Sequence, residues 1–404
     1  MSVAVLRASA RVLFGPGSVG ALERIAPDLG DRFVVCTDPR IAAGPALTAV
    51  RAALDAANVA YTVFAGVEPD VPLAVVDDAV AAAREIRANA VIGLGGGSSI
   101  DVAKLTALRL RHGGSVRDYY GDHRVPGPVD PIVAIPTTAG TGSEVTPVAV
   151  VSDPERRLKV GVSSPHLIPA AALCDSTLTR SCPPVVTAHA GIDALAHAIE
   201  AFTAVAAPDD WTVAFDRVFI GKNAVSDALA LAAVAEIGRG LVRAVADGDD
   251  AGARDGMLLG STLAGLAFAQ AGTAVAHALQ YPLGAATGTP HGLGVGLLLP
   301  YVMRFNLPAR EPELAAVGRA LGVVDQAAAD GEAALRAVDG VADLCRGIGL
   351  PPNLAELGLR RADLPGLARE AVAIERLVAN NPRRVDVAAL ESILEAAFDG
   401  RLTY

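Results

Sequence analysis

Along the first 180 positions the apolar residues come in short, β-rich runs separated by longer amphipathic ones. Residues 32–38, 60–64, 90–94 and 131–136 read as buried strands, rich in Val, Ile and aromatic side chains. Residues 45–57, 73–89 and a stretch from the glycines after Leu94 through Leu110 carry helical spacing. This strand–helix alternation predicts a parallel sheet covered by helices. Beyond about residue 181 the β signal fades. Residues 188–203, 224–246, 251–280, 293–305, 311–321, 331–348 and 385–398 read as helices. Ser181-Cys182-Pro183-Pro184 marks the junction with prolines. The pattern therefore predicts an α/β domain over 1–181 and an all-α domain over 182–404. Residues 204–223 fit neither pattern and read as a long loop carrying Trp211.

Composition narrows the class. With 52% hydrophobic and 19% charged residues, the 404-residue chain has enough apolar surface for large cores. A net charge of −10 argues against a nucleic-acid partner gripped through phosphates. Cys36, Cys174, Cys182 and Cys345 are scattered with no CxxC pair, as in reduced, buried thiols of a cytoplasmic protein. The N-terminus lacks the apolar core of a signal peptide, and the apolar runs break before the length of a membrane span.

Two loops suit a nucleotide. Gly93-Leu94-Gly95-Gly96-Gly97-Ser98-Ser99-Ile100-Asp101 follows a strand and opens a helix, where backbone N–H groups and the helix dipole favour an anion. Ser98 or Ser99 is expected to cap that helix, with Asp101 in its first turn. Residues 136–144, Pro-Thr-Thr-Ala-Gly-Thr-Gly-Ser-Glu, follow the fourth strand and are dense in hydroxyls and glycines. Both loops fall at carboxyl ends of parallel strands, where open α/β sheets bind ligands. Asp38, ending the first strand, could accept from an adenosine ribose and would repel a 2′-phosphate. A capped helix, a polar turn and a strand-ending Asp-Pro account for the same residues, so these stretches alone do not decide.

The strongest chemical signal lies between Gly191 and His291. Asp193 and His197 in GIDALAHAIEAF share one helix face at i, i+4. His277 sits in a second helical stretch, and His291 follows a turn marked by Gly288 and Pro290. One carboxylate and three imidazoles suit Fe²⁺ or Zn²⁺ better than Ca²⁺ or Mg²⁺. With a coordination position open, such an ion acts as a Lewis acid.

The stretches GGGSSIDVAK (95–104), PTTAGTGSEVTP (136–147) and GIDALAHAIE (191–200), with His277 and His291 in order behind them, resemble the iron-containing, group III alcohol dehydrogenases. The resemblance runs from Phe14-Gly15-Pro16-Gly17 to the C-terminal helices. It implies a Rossmann-like dinucleotide domain followed by a helical metal-binding domain, the dehydroquinate synthase-like arrangement. It implies Asp193, His197, His277 and His291 as metal ligands, Fe²⁺ before Zn²⁺. It implies Gly96, Gly97, Ser98 and Asp101 as the pyrophosphate loop, and Thr137, Thr138, Thr141 and Ser143 as a second cofactor loop. Lys159 matches a lysine near the nicotinamide ribose, and Asp38 a position favouring NAD over NADP. The implied partners are a small alcohol or carbonyl substrate and further copies of the chain, with neither membrane nor nucleic acid.

Two departures stand out. Many members carry a further histidine one turn after the third ligand, where this chain has Tyr281, a candidate substrate contact or proton relay. The 200–227 segment is also longer than typical, and its apolar residues Trp211, Val213, Phe215, Val218 and Phe219 are too many for a solvated segment, so part of it is expected to pack near a pocket mouth or at a subunit contact. The competing readings are a cyclase or lyase that recycles NAD within each turnover, and a non-catalytic relative. The first would need Lys or Arg around the metal for phosphorylated acids, and residues 188–203 and 264–292 contain none.

Overall fold

The computed structural model describes residues 3–156 and 159–402. The chain divides into two compact units. One comprises Arg7–Cys182 with Asp216–Val218, the other Met1–Leu6, Pro183–Phe215 and Phe219–Tyr404.

The first unit is built on strands β1 (Arg11–Phe14), β2 (Arg32–Cys36), β3 (Ala60–Phe64), β4 (Ala90–Gly95), β6 (Ile132–Pro136) and β9 (Ala171–Cys174), ordered β1-β9-β6-β4-β2-β3 and all parallel. Strands β5 (Gly121–Asp122), β7 (Val148–Val151) and β8 (Val160–Ser163) form a small second sheet. Helices α1 (Leu22–Leu29), α2 (Pro39–Ala42), α3 (Pro45–Ala56), α4 (Leu73–Glu85) and α5 (Gly97–His112) connect the strands. Two apolar clusters result, and their membership shows the sheet covered on both faces. In β2, Val34 and Cys36 belong to one cluster while Phe33 and Val35 belong to the other, as strand alternation requires. The four strands read from the sequence are present within two residues. The sequence reading missed β1 and β9, which are four residues each, and the β7–β8 hairpin.

The second unit is helical: α6 (Pro184–Thr203), α7 (Val213–Asp216, whose last residue falls in the first unit), α8 (Ala224–Ala246), α9 (Ala251–Ala271), α10 (Val275–Thr287), α11 (His291–Ala320), α12 (Asp330–Gly347), α13 (Leu364–Val372), α14 (Glu375–Ala379) and α15 (Val387–Asp399). Pro184 starts α6 at the position where proline costs the helix no hydrogen bond.

One expectation needs correction here. The single helix expected over 251–280 is two helices, bent by 103° at Gly272 to Ala274. Apolar content is high on both sides of that bend, so periodicity alone carries no sign of it. The 204–223 segment is mixed in burial. Val213 and Val218 are buried, but Trp211 and Phe215 are 67% and 79% exposed. Two aromatic tips therefore stay in solvent while Val213 packs with Val3, Ala207 and Ile220. Among the described residues no single helix is long and apolar enough to cross a membrane.

Candidate metal centre and nucleotide loop

Helix α6 carries Asp193, α10 carries His277, and the first residue of α11 is His291. Their ligand atoms all lie within 4.8 Å of one another. Asp193 Oδ1 stands 3.6 Å from His277 Nε2 and 3.7 Å from His291 Nε2. These separations are too long for hydrogen bonds and match two ligands sharing an ion at about 2.0–2.2 Å from each. Asp193 and His277 are buried and His291 half-buried. The close approach of α11 to α6 depends on Gly292, where a Cβ would meet His189 O at 2.1 Å and Asp193 Cβ at 3.1 Å.

The ring orientations are set from behind. His277 Nδ1 is hydrogen-bonded to Glu200 Oε2 at 2.5 Å, and His291 Nδ1 to Gln280 Oε1 at 2.7 Å. Both Nε2 atoms are thereby left to face Asp193. His277 Nε2 is buried and has no hydrogen-bond partner among the described residues. A donor atom so placed, opposite a carboxylate, fits a divalent ion. Burial disfavours the His277 imidazolium, but Glu200 and then Asp193 outweigh it and move the pKa up.

His197, the fourth expected ligand, lies beside this cluster rather than among its three converging ligand atoms. Its buried ring is stacked on Phe268 at 4.3 Å and on His277 at 4.7 Å. Tyr281 is half-buried, with its ring centroid 6.0 Å from that of His291. Glu200 and Gln280 escaped the sequence reading. Glu200 lies seven residues after Asp193 in the same motif, a legible same-face spacing. Gln280 had no such signal, since its partner His291 is eleven residues away.

In the first unit, α5 begins at Gly97 behind Gly96, and no side chain caps it. The expected Ser98 or Ser99 cap is thus absent. Both serines lie in the first turn, so no hydroxyl competes with an anion for the helix end. Gly95 has φ +148°, a value that favours glycine, and a Cβ there would meet Ser99 Oγ at 2.4 Å. The two loops touch: a Cβ on Gly96 would lie 3.4 Å from Thr138 Oγ1, and one on Gly97 2.7 Å from Thr141 Cγ2. Thr137 Oγ1 is buried with no hydrogen-bond partner among the described residues. Asp38 sits beside the glycines, its Oδ2 3.6 Å from a Cβ on Gly95, while its Oδ1 caps α2 by accepting from Arg40 N and Ile41 N.

Asp101 is not in the first turn as expected. Its carboxylate turns inward and accepts from Ser143 Oγ (2.7 Å) and Val150 N (3.0 Å). Lys104, fully buried, donates to Ser143 Oγ (2.9 Å), Thr146 O (2.9 Å) and Val148 O (2.7 Å). Burial lowers its pKa to about 8, opposed by Asp101 and Glu144. This buried knot fastens the second loop to α5, and no local pattern marks Lys104 as an interior residue. Lys159 pairs with Asp70.

The comparisons agree across the whole chain. Residues 9–176 match the model of iron-containing alcohol dehydrogenase, and 187–398 that of the Fe-containing alcohol dehydrogenase family, C-terminal. The chain is 38% identical over 403 residues to long-chain-alcohol dehydrogenase 1 of Geobacillus thermodenitrificans, covering 97% of this chain and 98% of that one. The crystal structure of a 1,3-propanediol oxidoreductase superposes with a TM-score of 0.91 at 31% identity, over 98% of this chain and 100% of the other. A sulfoacetaldehyde reductase from Bifidobacterium kashiwanohense, in complex with NAD⁺, does so with a TM-score of 0.83 at 28% identity, over 98% of each chain. With both halves matched by its models, this chain belongs to the iron-containing alcohol dehydrogenase family.

Proposed function

We propose that the chain is an NAD-dependent alcohol dehydrogenase whose helical unit holds Fe²⁺ or Zn²⁺ on Asp193, His277 and His291, with His197 as the fourth ligand. The observation that carries this is the convergence of the Asp193 carboxylate and two Nε2 atoms whose opposite ring nitrogens are both engaged. Bound there, the ion would supply Lewis acidity toward an alcohol or carbonyl oxygen, which strengthens hydride transfer in either direction. The redox chemistry belongs to the nicotinamide cofactor, and the protein supplies placement.

Gly96, Gly97 and Ser98 would cradle the pyrophosphate at the uncapped end of α5, with Thr137, Thr138 and Thr141 facing them from the second loop. Asp101 and Ser143 hold that loop in place through the Lys104 knot. Asp38, beside Gly95, would accept from the adenosine ribose and repel the 2′-phosphate of NADP. The NAD⁺ complex of the sulfoacetaldehyde reductase supports the same choice. Lys159 reaches a nicotinamide ribose only by exchanging Asp70 for it.

Tyr281 is assigned to the substrate. Its ring stands beside that of His291, and its phenol can hold a proton at Oη. Phe268 against His197, and the lack of Lys or Arg in 188–203 and 264–292, favour an apolar alcohol over a phosphorylated or acidic one. The kinship with a long-chain-alcohol dehydrogenase points the same way. Exposed Val12 and Phe14 on the edge strand β1, and exposed Trp211 and Phe215, support assembly into a homo-oligomer.

The test is a chain-length series of primary alcohols and aldehydes with NAD(H) and NADP(H), on metal-reconstituted wild type and Tyr281→Phe. The reading predicts net NADH formation and a chain-length preference that shifts in Tyr281→Phe. A variant changed only in thermal stability would remove Tyr281 from the substrate site. Absence of net NADH formation with every alcohol would remove the dehydrogenase reading itself.

A further inference from the structure

Glu200 is 2% exposed, sits on α6, and lies at no ligand position. Its two carboxylate oxygens receive three hydrogen bonds. Oε2 accepts from Ala274 N at 2.9 Å and faces His277 Nδ1 at 2.5 Å, while Oε1 accepts from Ala276 N at 2.7 Å. Ala274 and Ala276 belong to the start of α10, just after the 103° bend from α9. The first N–H groups of a helix have no partner within it. Here a carboxylate from another helix supplies one. On the other side of the bend Asn380 Nδ2 donates to Ala271 O (2.9 Å) and Thr273 O (3.0 Å), so the turn is held from both sides.

We propose that Glu200 is the positioning residue of the metal centre, fixing both the place of His277 and the tautomer that leaves its Nε2 free to bind an ion. The reason lies in donor and acceptor roles. Backbone N–H groups only donate, so each oxygen of Glu200 is already an acceptor. With Glu200 as a carboxylate, its oxygens only accept, so the imidazole facing Oε2 donates, which puts the ring proton on Nδ1 and the lone pair on Nε2. Glu200 is seven residues from Asp193, about two helical turns. One face of α6 therefore supplies a ligand and, two turns on, the group that aims the opposing ligand.

The substitution Glu200→Gln isolates the claim. A glutamine has one acceptor oxygen where three donors converge. If its amide nitrogen faces His277, the ring must accept at Nδ1 and carry its proton on Nε2, the ligand atom. If the nitrogen instead faces Ala276, that N–H loses its partner and the first turn of α10 loosens.

The inference rests on the metal reading above, so Zn²⁺ affinity is measured by chelator competition on full-length wild type and Glu200→Gln, beside the thermal midpoint of each metal-free protein. The expected result is Zn²⁺ binding weakened about 10- to 100-fold in folded Glu200→Gln. A lowered midpoint with Zn²⁺ affinity unchanged would mean that Glu200 only supports the fold, and the proposal falls while the metal site stands. Wild type that binds no Zn²⁺ overturns both. Should the variant not fold, ¹⁵N-histidine spectra of Zn²⁺-loaded wild type decide, with His277 assigned by its loss in His277→Ala. A proton retained on His277 Nδ1 supports the proposal, and a bare or metal-bound Nδ1 refutes it.

Discussion

At the scale of single residues, Asp38 illustrates how one side chain serves two ends. Its Oδ1 caps α2 and its Oδ2 lies beside the glycine loop, so charge and cap must be separated in any test of cofactor choice. Asparagine keeps an acceptor oxygen for Arg40 N and Ile41 N but loses the charge. Asp38→Asn is therefore expected to raise kcat/KM with NADP about tenfold, a change of about 1.4 kcal/mol, with little change in thermal midpoint. Asp38→Ala should show the same gain and lose about 1 kcal/mol of stability with the cap. Equal use of NAD and NADP by wild type, unchanged in Asp38→Asn, would reduce Asp38 to its capping role. The candidate residues on α6 and after β4 were legible in the sequence, because a carboxylate and an imidazole four residues apart and a run of glycines are local patterns. The residues that aim them were not all legible. Gln280 reaches His291 through a turn, and Lys104 looks like any helix-surface lysine until the fold buries it.

At the scale of elements, the proposed metal site forms where α6, α10 and α11 meet. Gly292 is the closest point, with no room for a methyl against His189 O. Gly292→Ala is expected to push α11 from α6, cost about 1–3 kcal/mol as an overpacked contact, and weaken Zn²⁺ binding by displacing His291. Calorimetry together with chelator competition checks this. A variant of wild-type metal affinity would show that α11 tolerates the shift without moving its ligand. The strands were readable because β-branched runs between helical stretches carry a period the eye can follow. The bend between α9 and α10 was not, because Ala271 to Val275 is apolar and small, and the bend is secured by Glu200 and Asn380 from distant parts of the chain. Tertiary partners of this kind leave no periodic trace.

At the scale of the whole molecule, both units bury apolar residues of their own, and the proposed chemistry divides between them: the candidate nucleotide loops on the parallel-sheet unit, the proposed ion site on the helical one. The division follows from what each architecture offers. Parallel strands end in loops and helix N-termini suited to phosphates, whereas packed helices bring side chains from separate turns to a common point. Because the ion site joins helices already packed through apolar faces, loss of one ligand should empty the site and leave the fold. The most direct measurement is the metal content and alcohol-dependent NADH formation of purified, metal-reconstituted wild type and His277→Ala, with circular dichroism to confirm folding. The account predicts stoichiometric metal and turnover in wild type, and in His277→Ala a folded protein that has lost both. Full turnover with stoichiometric metal in His277→Ala would contradict it.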